Sequence, residues 1–155
     1  MKAAVFSDTH GSTARMAAKV AELRPDLIIH LGDHDRDAQI LRQRFPEIPL
    51  YSVCGNCDPG SDGLLADVVP IGPVRAYITH GHRYNVRWGV DSLVYAAQER
   101  ECQLALYGHT HIPDSQEIGG VKVVNPGTAG MGPRLTWALI TVFDNGGIAV
   151  EIRDI

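Results

Sequence analysis

Apolar runs alternate with polar breaks in a repeating order through most of the chain. Lys2 to Phe6 is a short apolar run of β-branched and aromatic character that stops at Ser7-Asp8, which predicts a strand entering a loop. Ser12 or Thr13 can then cap a helix that carries Met16, Val20 and Leu23 on one side and ends before Pro25. The β-loop-α pattern recurs. Leu27 to Leu31 reads as a strand, Gly32-Asp33 as a turn, Asp37 to Arg44 as a helix with Ile40 and Leu41, and Leu50 to Val53 as a further strand. Val74 to Thr79 and Leu104 to Tyr107 repeat the strand-then-loop form, with a helix from about Asp91 to Glu101 between them. In that helical region Val90, Leu93, Val94 and Ala97 have core spacing. Strands nearly continuous in apolar residues, alternating with helices, indicate a sheet covered on both faces.

From Ser115 the character changes to short strands around Gly119-Gly120 and Gly146-Gly147, both read as hairpin turns. They predict an antiparallel second sheet packed on the first. No linker, repeat or low-complexity segment interrupts the 155 residues, so a single α/β domain over 1–155 is expected. A chain of this length with 45% apolar residues can bury a core without disulfides or structural metal.

Charge narrows the partners. A net charge of -4 and the absence of a Lys/Arg-rich run argue against sequence-independent nucleic-acid binding, which depends on clustered cations. The longest apolar runs fall far short of the roughly 20 residues of a membrane span, and no basic-plus-apolar leader is recognisable, so a cytoplasmic protein without a membrane partner is expected. Cys54, Cys57 and Cys102 form no regular framework, which fits a reducing compartment. Cys54-Gly-Asn-Cys57 has redox spacing, but such a motif should open a helix and Pro59-Gly60 follows almost at once.

The metal-capable side chains fall at the ends of the predicted strands. Asp8 and His10 follow the first, Asp33 the second, Asn56 the third, His80 the fourth, and His109 and His111 the fifth. Ligand sites in open α/β sheets gather outside the carboxyl ends of the strands, so this placement directs all of them toward one edge. Polar residues favour loops in any protein, and any one of these alone would mean little. The constellation carries the inference. Gly32, Gly55, Gly81 and Gly108 stand beside these positions and permit close backbone turns. Carboxylates, imidazoles and one amide oxygen suit Mn, Fe, Ni, Zn or Mg, and no thiolate ligand is evident. The donors are too many for one tetrahedral ion and enough for two ions sharing a carboxylate.

Asp8-Thr-His10, Gly32-Asp33, Gly55-Asn56-Cys57-Asp58, Thr79-His80-Gly81-His82 and Gly108-His109-Thr110-His111 together resemble the motifs of the calcineurin-like metallophosphoesterases, in order and spacing, over nearly the whole chain. Asn125-Pro126-Gly127 is similar to the small YfcE-like phosphodiesterase branch. The resemblance implies an αββα-type two-sheet sandwich. It implies one divalent ion among Asp8, His10, Asp33 and His111 and a second among Asp33, Asn56, His80 and His109, with Asp33 bridging. Manganese is the first expectation, with Ni, Fe, Zn or Mg as alternatives. The implied reaction is hydrolysis of a small phosphate ester, most readily a diester, by a hydroxide between the two cations. Two divalent cations against two carboxylates leave about +2 locally, so an acidic chain can still hold an anion.

One position departs from the resemblance. Many relatives have His where this chain has Cys57, and a thiol with a reference pKa near ~8.5 is a poor general acid beside imidazolium at ~6.5. Narrower activity, favouring esters with acidic leaving groups, is expected. Asn56, Cys57, Asp58 and His82 are the catalytic candidates: Asp58 orients His109 or caps its loop, and His82 touches substrate or braces His80. Arg134 is the candidate substrate contact, against the default of a solvated Arg. Trp88 and Tyr84 border a pocket or pack beneath their loop. The same fold resembles a retromer subunit that serves as a protein-binding scaffold with a degraded metal site. The complete donor set here favours an enzyme; a homo-oligomer is compatible with either.

Overall fold

The computed structural model describes residues 1–155. In chain order the elements are β1 (Lys2–Phe6), α1 (Thr13–Leu23), β2 (Leu27–His30), α2 (Asp35–Arg44), β3 (Leu50–Ser52), β4 (Ala66–Ile71), β5 (Val74–Thr79), a 3₁₀ turn (His82–Tyr84), α3 (Asp91–Glu99), β6 (Leu104–Leu106), β7 (Asp114–Ile118), β8 (Val121–Asn125), β9 (Thr136–Val142) and β10 (Ile148–Asp154). Each strand read from an apolar run is present within a residue or so. β4 was not anticipated: Pro70 interrupts its pattern, and a Pro is tolerated there because β4 lies at a sheet edge.

The strands form two five-stranded sheets, ordered β10-β9-β1-β2-β3 and β4-β5-β6-β8-β7. The expectation that the later strands build the second sheet by themselves is corrected here. The β7–β8 hairpin joins β6 in one sheet, whereas β9 returns to pair antiparallel with β1 in the other. β5 and β6, read as continuing the first sheet, belong to the second. Hydrophobic periodicity says which face of a strand is buried but not which neighbour it will find.

Burial explains the layering. Val5, Ile29 and Ile140 of one sheet meet Ile71, Ile78 and Leu106 of the other in a shared core. The outer face of the first sheet, with Phe6, Ile28 and Trp137, packs under Met16 and Val20 of α1 and Leu41 of α2. Tyr77, Ala105 and Val123 of the second sheet are covered by Leu93, Val94 and Ala97 of α3. The result is helix on sheet on sheet on helix, and the inner strands are buried on both faces as their continuous apolar runs require. Ile40 is the exception on α2, being exposed beside the buried Leu41. Ser12 occupies the N-cap position of α1 but makes no side-chain capping bond.

In each sheet the strands that lead into the marked loops run parallel, β1 with β2 and β3, and β5 with β6. Their carboxyl ends are stitched together. Asp8 N–H donates to Gly32 O (3.0 Å) within one sheet and Gly108 N–H to His80 O (3.0 Å) within the other. His109 N–H donates across the seam to Asp8 Oδ2 (3.0 Å).

Candidate metal centre

Asp8, at the end of β1, has its Oδ2 engaged by Ser7 Oγ (2.6 Å) and the His109 N–H, which turns Oδ1 toward the seam. There Oδ1 lies 3.0 Å from His111 Nε2 and 3.9 Å from His80 Nε2. One donor atom from each of Asp8, His10, Asp33 and His111 lies within 4.8 Å of the others. Asp8 Oδ1 and His10 Nε2 are buried yet have no hydrogen-bond partner. Buried polar atoms without partners are costly, and a cluster of them in a mixed carboxylate–imidazole set fits a divalent cation.

The remaining donors adjoin this group through Asp33 and His80. His80 Nδ1 lies 2.7 Å from Leu31 O and so carries the proton, which aims Nε2 at Asn56 Oδ1 (3.2 Å) and Asp33 Oδ1 (3.4 Å). Nε2 can satisfy both oxygens only as a second donor or through a shared cation. The His109 ring stands edge-on to His80, with centroids 5.2 Å apart. Burial opposes ionisation of Asp33, but the His80 ring and the Cys57 N–H (2.9 Å) hold its carboxyl well below the usual carboxylate range. Burial likewise opposes charge on His80, and the Asp33 and Asp8 carboxylates overcome it, raising the imidazole. Burial and then His80 lower His82; burial, His80 and Arg87 lower His109. The carboxylates thus favour positive charge at His80, whereas His82 and His109 are shifted toward their neutral forms.

The calcineurin-like phosphoesterase superfamily domain matches residues 1–145. The chain belongs to this superfamily. It is 30% identical to the probable metallophosphoesterase YsnB of Bacillus subtilis over 99% of this chain and 91% of that protein. It is 27% identical to the phosphodiesterase YfcE of Escherichia coli over 97% and 91% respectively. Among solved structures, Vps29 of Entamoeba histolytica complexed with zinc superposes with a TM-score of 0.76, covers 99% of both chains and is 19% identical, a likeness of fold.

The superfamily motifs owe their geometry to residues that hold no ion. Asp58 does not reach His109. Its Oδ1 accepts the backbone N–H groups of His34 (2.8 Å) and Asp35 (2.9 Å) and its Oδ2 that of Gly55 (2.8 Å), so it caps α2 and ties the Asn56 loop to the Asp33 loop. Asn125, of the Asn-Pro-Gly segment, donates to Gly108 O (2.9 Å) and Thr110 Oγ1 (3.0 Å), bracing the loop that bears His109 and His111. A buried chain runs beneath Asp8 and His10. Gly32 N–H donates to His30 Nδ1 (3.3 Å), so His30 Nε2 carries the proton toward Thr9 Oγ1 (3.0 Å), and Thr9 donates to Asp37 Oδ2 (2.6 Å). Burial lowers the His30 pKa to about 4 despite Asp37 nearby, so this ring is neutral and acts as a strut. The supporting roles of His30, Thr9 and Asp37 escaped sequence reasoning; only His30, a polar residue inside the apolar run Leu27 to Leu31, carried a signal.

The other candidates are placed as follows. Cys57 is exposed with its thiol raised by burial of the sulfur and by Asp33, and Asn56 Nδ2 donates to it (3.4 Å). Cys54 is buried against Ser61. His82 sits 5.5 Å from His80 and 6.1 Å from His109 between ring centroids. His34 is exposed, 5.4 Å from the His10 ring. Arg134 stands outside the group, its Nε donating to Asp154 Oδ1 (2.8 Å). Tyr84 does pack beneath its loop against Tyr77, while Trp88 is 92% exposed.

Five of the donor residues adopt left-handed backbone conformations: Asp8 (φ 53°), His10 (45°), Asp33 (57°), His109 (67°) and His111 (61°). Such angles are uncommon outside glycine, with Asp and His among the residues that tolerate them best.

Proposed function

We propose that this chain is a cytoplasmic metal-dependent phosphoesterase, most active on phosphodiesters, with divalent ions held by Asp8, His10, Asp33 and His111 and by Asp33, Asn56, His80 and His109. The observation that carries the reading is the pair of buried, unpartnered atoms, Asp8 Oδ1 and His10 Nε2, on one loop and grouped with donor atoms of Asp33 and His111. Divalent cations there supply charge against the phosphate oxygens and acidify the attacking water. Manganese heads the candidates on the oxygen-plus-imidazole donors, ahead of Ni, Fe, Zn and Mg. Asp33 touches both donor groups and fixes their separation. His82, half-buried beside His80 and His109, borders the phosphate.

The test is a metal-reconstituted screen of chelator-treated protein against aryl phosphodiesters, aryl monoesters and cyclic nucleotides, with metal content measured in parallel. Activity is expected to return as loading approaches about two ions per chain, and to be highest on aryl diesters. Saturation at one ion would sink the two-site arrangement. Full loading without turnover of any ester would sink the enzyme.

Cys57 gives a second expectation. A neutral thiol beside Asn56 protonates a leaving group poorly, so the rate should fall steeply as the leaving group becomes more basic. Cys57→His is expected to restore about tenfold for basic leaving groups, part of the ~10²–10⁴ available to a well-placed general acid, and little for aryl esters. Plots of kcat/KM against leaving-group pKa that stay parallel in the two proteins would contradict it.

A further inference from the structure

Two cavities that share no lining residue lie in the loops around the candidate metal centre. The first, about 360 Å³, has His34, Asp35, Arg36, Cys57, Asp58 and Ser61 in its wall. The second, about 370 Å³, is lined by Arg87, His109, Thr110, His111 and Ile112. The second cavity is walled by His109 and His111, one from each proposed ion site, whereas the first holds only chain neighbours of such residues, His34 and Cys57, so a phosphodiester with its phosphorus at the ions has room for a substituent in the second cavity. We propose that the second cavity is the subsite for a nucleoside-like arm, an aromatic ring that carries a further anionic group, with Arg87 binding the anion and Trp88 stacking on the ring. The proposal rests on the metal-centre reading, because His109 and His111 form its inner wall.

Arg87 is the first support. Lys19, Arg75, Arg100, Lys122, Arg134 and Arg153 are each matched to a carboxylate. Arg87 makes neither an ion pair nor a side-chain hydrogen bond, a freedom it shares with other exposed arginines such as Arg36 and Arg83, and it is the one that lines a cavity together with His109 and His111. A guanidinium left free beside a cation site repels the ions and is useful there only toward an anion. Its planar fork suits a phosphate or carboxylate at bidentate geometry.

The second support is how the segment is held. Val86, immediately before Arg87, is buried in the α3 core, and Trp88 N–H donates to Asn85 O (2.9 Å). Tyr84 is pinned through its hydroxyl to Tyr77. Trp88, next in the chain to the cavity-lining Arg87, is 92% exposed, and Ile112 of the cavity wall is 67% exposed. A positioned indole in water offers a stacking face that accepts any base. The first cavity has a different character. Asp35 and Asp58 lie in its wall beside Arg36, so it is of mixed charge and contains none of the proposed ion-binding residues.

The experiment measures binding to the metal-loaded full chain by calorimetry, with inorganic phosphate, thymidine 5′-monophosphate and thymidine 3′,5′-bisphosphate as probes. Affinity is expected to rise about tenfold from phosphate to monophosphate and about tenfold again to the bisphosphate. Trp88→Ala should erase the first step and Arg87→Gln the second. Ile112→Glu, which places a negative charge at the exposed wall, should weaken the bisphosphate more than the monophosphate. All three positions are surface-exposed, and matching melting temperature and metal content confirm that each variant is folded. A wild type that does not distinguish the probes overturns the proposal. So does an Arg87→Gln protein that loses affinity equally for all three, since Arg87 would then serve only the common phosphate. Failure here leaves metal-dependent hydrolysis of methyl p-nitrophenyl phosphate untouched, whereas failure of the enzyme reading shows in that hydrolysis and not in the ratio of affinities.

Discussion

Asp33→Ala is expected to remove both ions and lower kcat/KM by at least about a thousandfold, whereas Asp8→Ala retains about one ion per chain. The difference follows from reach. Asp33 Oδ1 lies 3.4 Å from His80 Nε2 and Oδ2 lies 3.9 Å from His10 Nε2, so its two oxygens face the two donor groups. Without it, Asn56, His80 and His109 remain as a neutral set on one side, and a single carboxylate on the other. Asp8 has only Oδ1 available, because Oδ2 is occupied by Ser7 and the His109 N–H. Its loss leaves Asp33 with the Asn56, His80 and His109 donors. Elemental analysis of the two variants after equal metal exposure decides the matter: equal residual metal would contradict the bridging role.

Gly55→Ala is expected to abolish activity almost as completely while removing none of the ion-binding side chains. A Cβ at position 55 would overlap Asp33 Oδ1 and stand 2.5 Å from the Asp33 backbone nitrogen and 2.9 Å from its Cγ. The backbone atom cannot yield, so the carboxylate must rotate away from the centre. Overpacking of this kind costs about 1–3 kcal/mol of stability, and displacement of the shared carboxylate should reduce metal affinity at least about a hundredfold. Gly60→Ala is the control. Gly60 has φ 77° but open space around its Cα, so only backbone strain of about 1 kcal/mol is expected, with metal binding intact. Metal titration followed by thermal melting separates the two cases, and equal metal affinity in Gly55→Ala and wild type would refute the steric argument.

The legible part of the molecule was local. Lys2 to Phe6 announced a strand because its apolar side chains are continuous, and Asp8 and His10 were visible as unusual polar punctuation at its end. Gly119-Gly120 and Gly146-Gly147 marked their hairpins correctly. What was illegible was long-range choice. Nothing within β9 states that Ala4 will face Leu139 rather than a strand of the other sheet, since both partners offer apolar surface. The same limit hid the site's supports. Asn125 was noticed only by resemblance, and its grip on Gly108 spans 17 residues. Asp58 was seen but assigned an open choice between His109 and the loop, and only the fold brings the backbone of His34 and Asp35 within its reach. Arg87 carried no signal, because a lone exposed Arg in a loop looks like any other until a cavity forms beside it.

The left-handed backbones at Asp8, His10, Asp33, His109 and His111 have a consequence for how this fold can change over generations. Each such angle disfavours a residue bearing a Cβ by about 1 kcal/mol, and replacement by Gly relieves that strain, offset in part by the greater freedom of Gly in the unfolded chain. Loss of Asp8 or Asp33 would also end the mutual repulsion of two carboxylates at the seam. Bound cations compensate for all of this, since a ligand that binds only the native state stabilises it in proportion to RT ln(1 + [L]/Kd). Selection for a bound ion would therefore hold these loops in place, while the core between and outside the sheets is built from other residues. Once that selection is relaxed, His10 and His111, whose side chains donate no structural hydrogen bond, can be shed at little cost, whereas Asp8 and Asp33 also satisfy the Ser7, His109 and Cys57 donors. A lineage of such chains can lose its chemistry and keep its shape, free to serve as a rigid platform for other partners.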